Sequence, residues 1–113
     1  MYTSTYTHHI FNKISELPLE FAKPLADIEV KENQEIFLTC TVSKPDLTAT
    51  WYRNNVKVSA SETLKLSCEG DVHTLCIPCA KLTDEAEYSI KVDGNSSKAR
   101  VKVIGNFYFS QIV

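Results

Sequence analysis

The stretch Leu75-Cys76-Ile77-Pro78-Cys79-Ala80-Lys81-Leu82-Thr83-Asp84-Glu85-Ala86-Glu87-Tyr88-Ser89-Ile90-Lys91-Val92 decides the fold of this chain. At its start Leu75 and Ile77 share one face and Cys76 takes the other. Pro78 then ends the strand, because proline has no N–H to give to a ladder. At its end Ala86, Tyr88, Ile90 and Val92 alternate with Glu87, Ser89 and Lys91, the period of a strand with one buried face.

The same period extends in both directions. Ile36, Leu38, Cys40 and Val42 line one side of a strand over 36–42, and Lys44-Pro45-Asp46 breaks it. Residues 48–53 form the next strand, with Ala49 and Trp51 together; Asn54-Asn55 reads as a tight turn and Val56–Val58 as a short strand beyond it. Leu64, Leu66 and Cys68 share a face of a strand over 63–68, so Cys68 is expected to point inward. Glu69-Gly70-Asp71 turns the chain into the strand over 72–77, and Asp93-Gly94-Asn95 leads to a last strand over 99–103. These segments predict an all-β sandwich of two packed antiparallel sheets with seven to eight strands, spanning residues 21–104. Residues 1–20 read as a flexible or partly helical extension, since Ile10, Phe11, Ile14 and Leu17 fall at helical spacing before Pro18. Residues 105–113 are an apolar tail whose role its sequence leaves open.

A length of 113 residues gives room for one core. Charged residues make up 23% and the net charge is −2, with acids and bases interspersed, which offers no basic stripe for nucleic acid. No run reaches the roughly 18 apolar residues of a membrane span, and the N-terminal residues lack the basic start and apolar run of a secretory signal.

Leu75-x-Ile77, followed after six residues by Asp84-x-Ala86-x-Tyr88-x-Ile90, together with Cys40 and Trp51, resembles the intermediate (I-set) immunoglobulin family. Within it, Pro24-Leu25-x-Asp27, Val30-x-Glu32 and His73-Thr74-Leu75 look most like the domains of giant muscle proteins of the titin, obscurin and myosin-binding protein C kind. The resemblance implies an immunoglobulin-like sandwich with Cys40, Trp51, Leu75, Ile77, Tyr88 and Ile90 as structural core. It also implies a tyrosine-corner role for Tyr88, its hydroxyl bonding upstream backbone at the turn that Asp84 belongs to. Independently of family, a single tryptophan on a core-facing strand is costly to truncate, about 3–5 kcal/mol. Asp84 is placed to accept backbone hydrogen bonds or to pair with a base beneath the turn.

In extracellular members of the family, a disulfide joins the position of Cys40 to the position that Ile90 holds here, so that bridge is excluded by composition. This points to a reducing, cytoplasmic compartment. A Cys68–Cys76 bridge is disfavoured because the two residues take opposite faces. Cys76-Ile77-Pro78-Cys79 has the form of a redox motif but ends a strand, without the helix N-terminus that lowers a thiol pKa, and as a zinc site it is half a ligand set. Cys76 is therefore expected only to be an exposed thiol. Asn95-Ser96-Ser97 fits a glycosylation sequon and supports the rival reading, an extracellular adhesion or receptor domain. A third reading, a module attached to a kinase, finds no Gly-rich loop or catalytic lysine here.

The function expected is non-catalytic: a structural, protein-binding link in a modular sarcomeric protein. No cofactor, metal, nucleic acid or membrane is expected. The partners are other proteins and neighbouring immunoglobulin or fibronectin-type domains, and the isolated domain is a monomer.

Overall fold

The computed structural model describes residues 18–105, so the helical spacing read over residues 8–17 and the tail over 106–113 lie outside it. The strands are β1 (Phe21–Lys23), β2 (Ile28–Lys31), β3 (Ile36–Val42), β4 (Ala49–Arg53), β5 (Val56–Lys57), β6 (Lys65–Glu69), β7 (Val72–Ile77), β8 (Ala86–Val92) and β9 (Asn95–Ile104). One 3₁₀ turn, Leu82–Asp84, sits between β7 and β8. They build a four-stranded sheet in the order β1-β3-β7-β6 and a five-stranded sheet in the order β2-β9-β8-β4-β5.

The described residues thus hold nine strands rather than seven or eight, and one pairing is parallel rather than antiparallel. Both departures come from the first strand. β1 pairs with β3 through an irregular register at Phe21 and Lys23. Pro24 then interrupts the ladder, and the chain crosses to the other sheet, where β2 runs parallel to β9 from Ile28↔Val101 to Lys31↔Ile104. The last strand also begins earlier than its apolar alternation suggests, because Asp93-Gly94 makes a two-residue hairpin that pairs Val92 with Asn95.

The turns follow their residues. Asp93 and Gly94 have φ of 50° and 84°, and Asn54 and Asn55 have φ of 49° and 68°; both pairs are the double left-handed conformation of a type I′ turn. The inner faces of the two sheets meet in one core that includes Ile36, Leu38, Cys40, Val42, Trp51, Leu75, Ile77, Tyr88, Ile90, Val92 and Val101. β3 and β8 show the alternation most plainly, each presenting four core residues to the opposite sheet.

Candidate functional site

Cys40 on β3 and Ile90 on β8 are 1% and 0% exposed, in opposite sheets and in the same core cluster. Trp51 lies beside Ile90 as its cross-strand neighbour and is 3% exposed. Leu75, Ile77 and Tyr88 are equally buried. Apolar contact joins the sheets here, and burial pushes the Cys40 thiol up to about 11, with nearby Cys68 adding to the rise.

Below this core the turn between β7 and β8 is tied from four directions. The Tyr88 hydroxyl donates to the Asp84 carbonyl at 2.7 Å. Lys81 N donates to the Asp84 carboxylate at 2.8 Å. Val103 N, on β9, donates to Glu85 Oε1 at 3.0 Å. The Arg53 guanidinium, from β4, donates to the Thr83 carbonyl. Burial raises the Tyr88 phenol to about 12 although the Arg53 charge pulls it down. Arg53 was not singled out from the sequence; its Nε is buried without a hydrogen-bond partner among the described residues. Its position two residues after Trp51, on the same face of β4, was the signal available.

His73 was missed in a similar way. It shares the face of Leu75 and Ile77, is 1% exposed, and sits between Cys40 and Cys68 in a lateral row across β3, β7 and β6. Burial lowers its pKa, against the pull of Asp71. Cys68 Sγ lies 3.9 Å from His73 Nε2. The expectation that Cys68 points inward needs correction: it is exposed. Its side chain takes the core-facing parity, but β6 is the edge strand, so that parity delivers it to the rim of the sandwich and not beneath the other sheet.

All four cysteines are free. Cys40 and Cys68 stand two strands apart, a spacing of about 9–10 Å, beyond the roughly 7 Å that a disulfide spans. Cys76 pairs with Lys65, three residues from Cys68, on the outer face. Its thiol is half-buried and donates to Glu35 Oε2 at 3.1 Å; burial and that carboxylate raise its pKa, the reverse of what a redox motif needs. Cys79 is exposed and reaches Asn33 Oδ1 at 3.5 Å. No group of three or more His, Cys, Asp or Glu among the described residues is arranged to hold a metal ion. No described helix is long and apolar enough to cross a membrane.

The terminal strands are fastened by side chains as well as by their ladder. Asn95 Nδ2 donates to the Leu19 carbonyl at 2.9 Å. Leu25 N donates to Ser97 Oγ at 3.0 Å, and Arg100 N to Asp27 Oδ1 at 2.8 Å. Glu32 N donates to the Ile104 carbonyl at 2.7 Å.

Known proteins resemble this chain in sequence and in fold. Titin of Drosophila melanogaster is 32% identical over 90 residues, covering 80% of this chain and 0%, to the nearest per cent, of its own length. The fast-type myosin-binding protein C of Gallus gallus is 31% identical over 90 residues, covering 80% of this chain and 8% of its own length. The chain therefore spans less than a tenth of these relatives. Among solved structures, domain I10 of titin superposes with a TM-score of 0.74 at 29% identity, covering 77% of this chain and 99% of that one. An Ig-like domain of human obscurin-like protein 1 gives 0.73 at 31%, covering 78% and 86%. The family model "Immunoglobulin I-set domain" matches residues 19–104, the span that holds both sheets, the Trp51 core and the Tyr88 corner, and the chain belongs to that family.

Proposed function

We propose that this domain is a non-catalytic structural and protein-binding module of a modular, cytoplasmic muscle protein of the sarcomere, bearing mechanical load and docking partners. The domain proper is residues 21–104, flanked by an extension over 1–20 and a tail over 105–113. It acts as a monomer, without cofactor, beside immunoglobulin or fibronectin-type neighbours. The observation that carries the reading is the parallel pairing of β2 with β9. Tension applied through the flanks draws β2 toward its N-terminal end and β9 toward its C-terminal end. In a parallel pair these pulls act along the strands in opposite senses, so the bonds between them share the load and must yield together. An antiparallel terminal hairpin would open one bond at a time. The relation to titin and myosin-binding protein C gives that geometry its setting.

An extracellular adhesion role has the sequon at Asn95 in its favour. Against it, the Asn95 Nδ2 atom that would carry a glycan is engaged with the Leu19 carbonyl, and Cys40 faces the core with no cysteine at position 90. The test is a single-molecule pulling experiment on the domain flanked by marker domains. A discrete unfolding peak at a force well above the thermal noise is expected; extension at negligible force defeats the mechanical reading.

A further inference from the structure

Linear interspersion of acids and bases conceals how the strands sort them. On the five-stranded sheet the residues that alternate with the core side chains form its outer face, and Lys31, Lys57, Lys91, Lys98, Arg100 and Lys102 all fall there. The acids in the same registers are Glu29 and Glu87. A chain whose net charge is −2 thus turns a strongly basic face outward.

A cleft of about 230 Å³ opens in the middle of this face, lined by Tyr52, Asn55, Ser89, Lys91, Ser96 and Lys98. Lys91 pairs with Ser96 and Ser89 with Lys98, so Lys91 and Lys98 are diagonal neighbours on β8 and β9. Diagonal positions lie about 7–8 Å apart, close enough for two lysines to converge on one anion. Neither lysine has an ion pair among the described residues, and two like charges so placed repel each other. The floor is Ser89, 8% exposed although it sits on the outer face, and its hydroxyl makes no hydrogen bond among the described residues. A hydroxyl that opens into the cleft between two ammonium groups can donate to an oxyanion seated there.

We propose that this face docks an acidic segment of a partner protein, with one carboxylate seated between Lys91 and Lys98 on the Ser89 hydroxyl. The flanking bases steer the rest of the segment along the sheet, which raises the on-rate and makes binding salt-dependent. This rests on the protein-docking half of the proposed function and names the partner's chemistry. The pulling experiment probes the other half, so the two fail separately.

The test titrates the ¹⁵N-labelled chain with a hexaglutamate peptide at low and at physiological salt. Amide shifts should concentrate at Tyr52, Ser89, Lys91, Ser96 and Lys98 and weaken as salt rises. The K91E/K98E variant should lose at least tenfold in affinity. K23E/K65E carries the same charge change on two exposed positions of the other sheet and should stay within twofold of the parent. All these side chains are exposed, so each variant keeps the parent's spectrum outside the substituted region. Shifts spread over both sheets, or equal losses in the two variants, overturn the proposal. So does tighter binding of a single-stranded oligonucleotide of equal charge, which assigns the face to nucleic acid.

Discussion

Tyr88 and His73 lie in one core and respond to pH with opposite sign. Tyr88→Phe leaves the Asp84 carbonyl without its donor and should cost about 1–3 kcal/mol, read as a lower urea midpoint at unchanged slope. In the folded protein Cys40 is raised from 9.0 to about 11 and Tyr88 from 10.0 to about 12. A raised pKa means that the unfolded chain ionises first. Both contributions are therefore whole below pH 9 and drain away between pH 9 and about 12, and Tyr88→Phe should remove the upper part of that decline. His73 is lowered from 6.5, so its contribution is whole above that pH and shrinks as the solution is acidified. His73→Leu should flatten the acid limb of a stability-against-pH curve measured by urea unfolding. Tyr88 was legible because it stands in an unbroken alternation with Ala86, Ile90 and Val92. His73 obeys the same alternation with Leu75 and Ile77, yet a polar side chain in a core position is hidden when hydrophobicity alone is followed. Cys68 shows the converse limit, since parity gives the direction of a side chain and says nothing about whether another sheet lies above it.

Among the elements, the two type I′ turns and the terminal pair β2–β9 set the outcome. Asn55 holds a φ of 68°, which glycine adopts at less cost, and Asn54-Gly is the preferred pair for that turn. Asn55→Gly should raise stability by about 0.5 kcal/mol, seen as a higher urea midpoint. Glu32→Pro removes the N–H that bonds the Ile104 carbonyl at the end of the parallel pair. It should lower the unfolding force more than Ile77→Val does, although Ile77→Val weakens the core of the other sheet. Pulling both variants in the same assay decides the point. The turns could be read from Asn-Asn and Asp-Gly alone. The switch of sheets between β1 and β2 could not, because Pro24 announces a break in the ladder but no local residue states which edge the chain joins next. The basic outer face escaped for a related reason. Its bases recur at Lys98, Arg100 and Lys102 on one parity, while Lys31 on β2 and Lys57 on β5 come from distant sequence and meet them only once the registers are known.

For the molecule as a whole, the decisive contact is between its sheets. Cys40 and Ile90 both reach the core from opposite sides, so Ile90→Cys should allow a bridge to form in oxidising buffer. The variant then has five thiols, of which the bridge consumes two, and a denatured, unreduced sample should titrate three against the parent's four. The bridge should add about 2–4 kcal/mol to stability. Failure to oxidise would show that the two sheets hold these positions out of reach of each other.

The fastenings at the two ends of β9 have a further consequence. Leu19 is held beside Asn95, where β9 begins, and Glu32 is held to Ile104, where it ends. The backbone therefore enters near one pole and leaves near the other, separated by about 33 Å for a strand of this length. Copies threaded end to end form a string with a direction, each folded unit adding roughly that step. Unravelled, the segment from Leu19 to Ile104 reaches on the order of 300 Å, so one unit giving way yields as much slack as about eight intact ones supply in length.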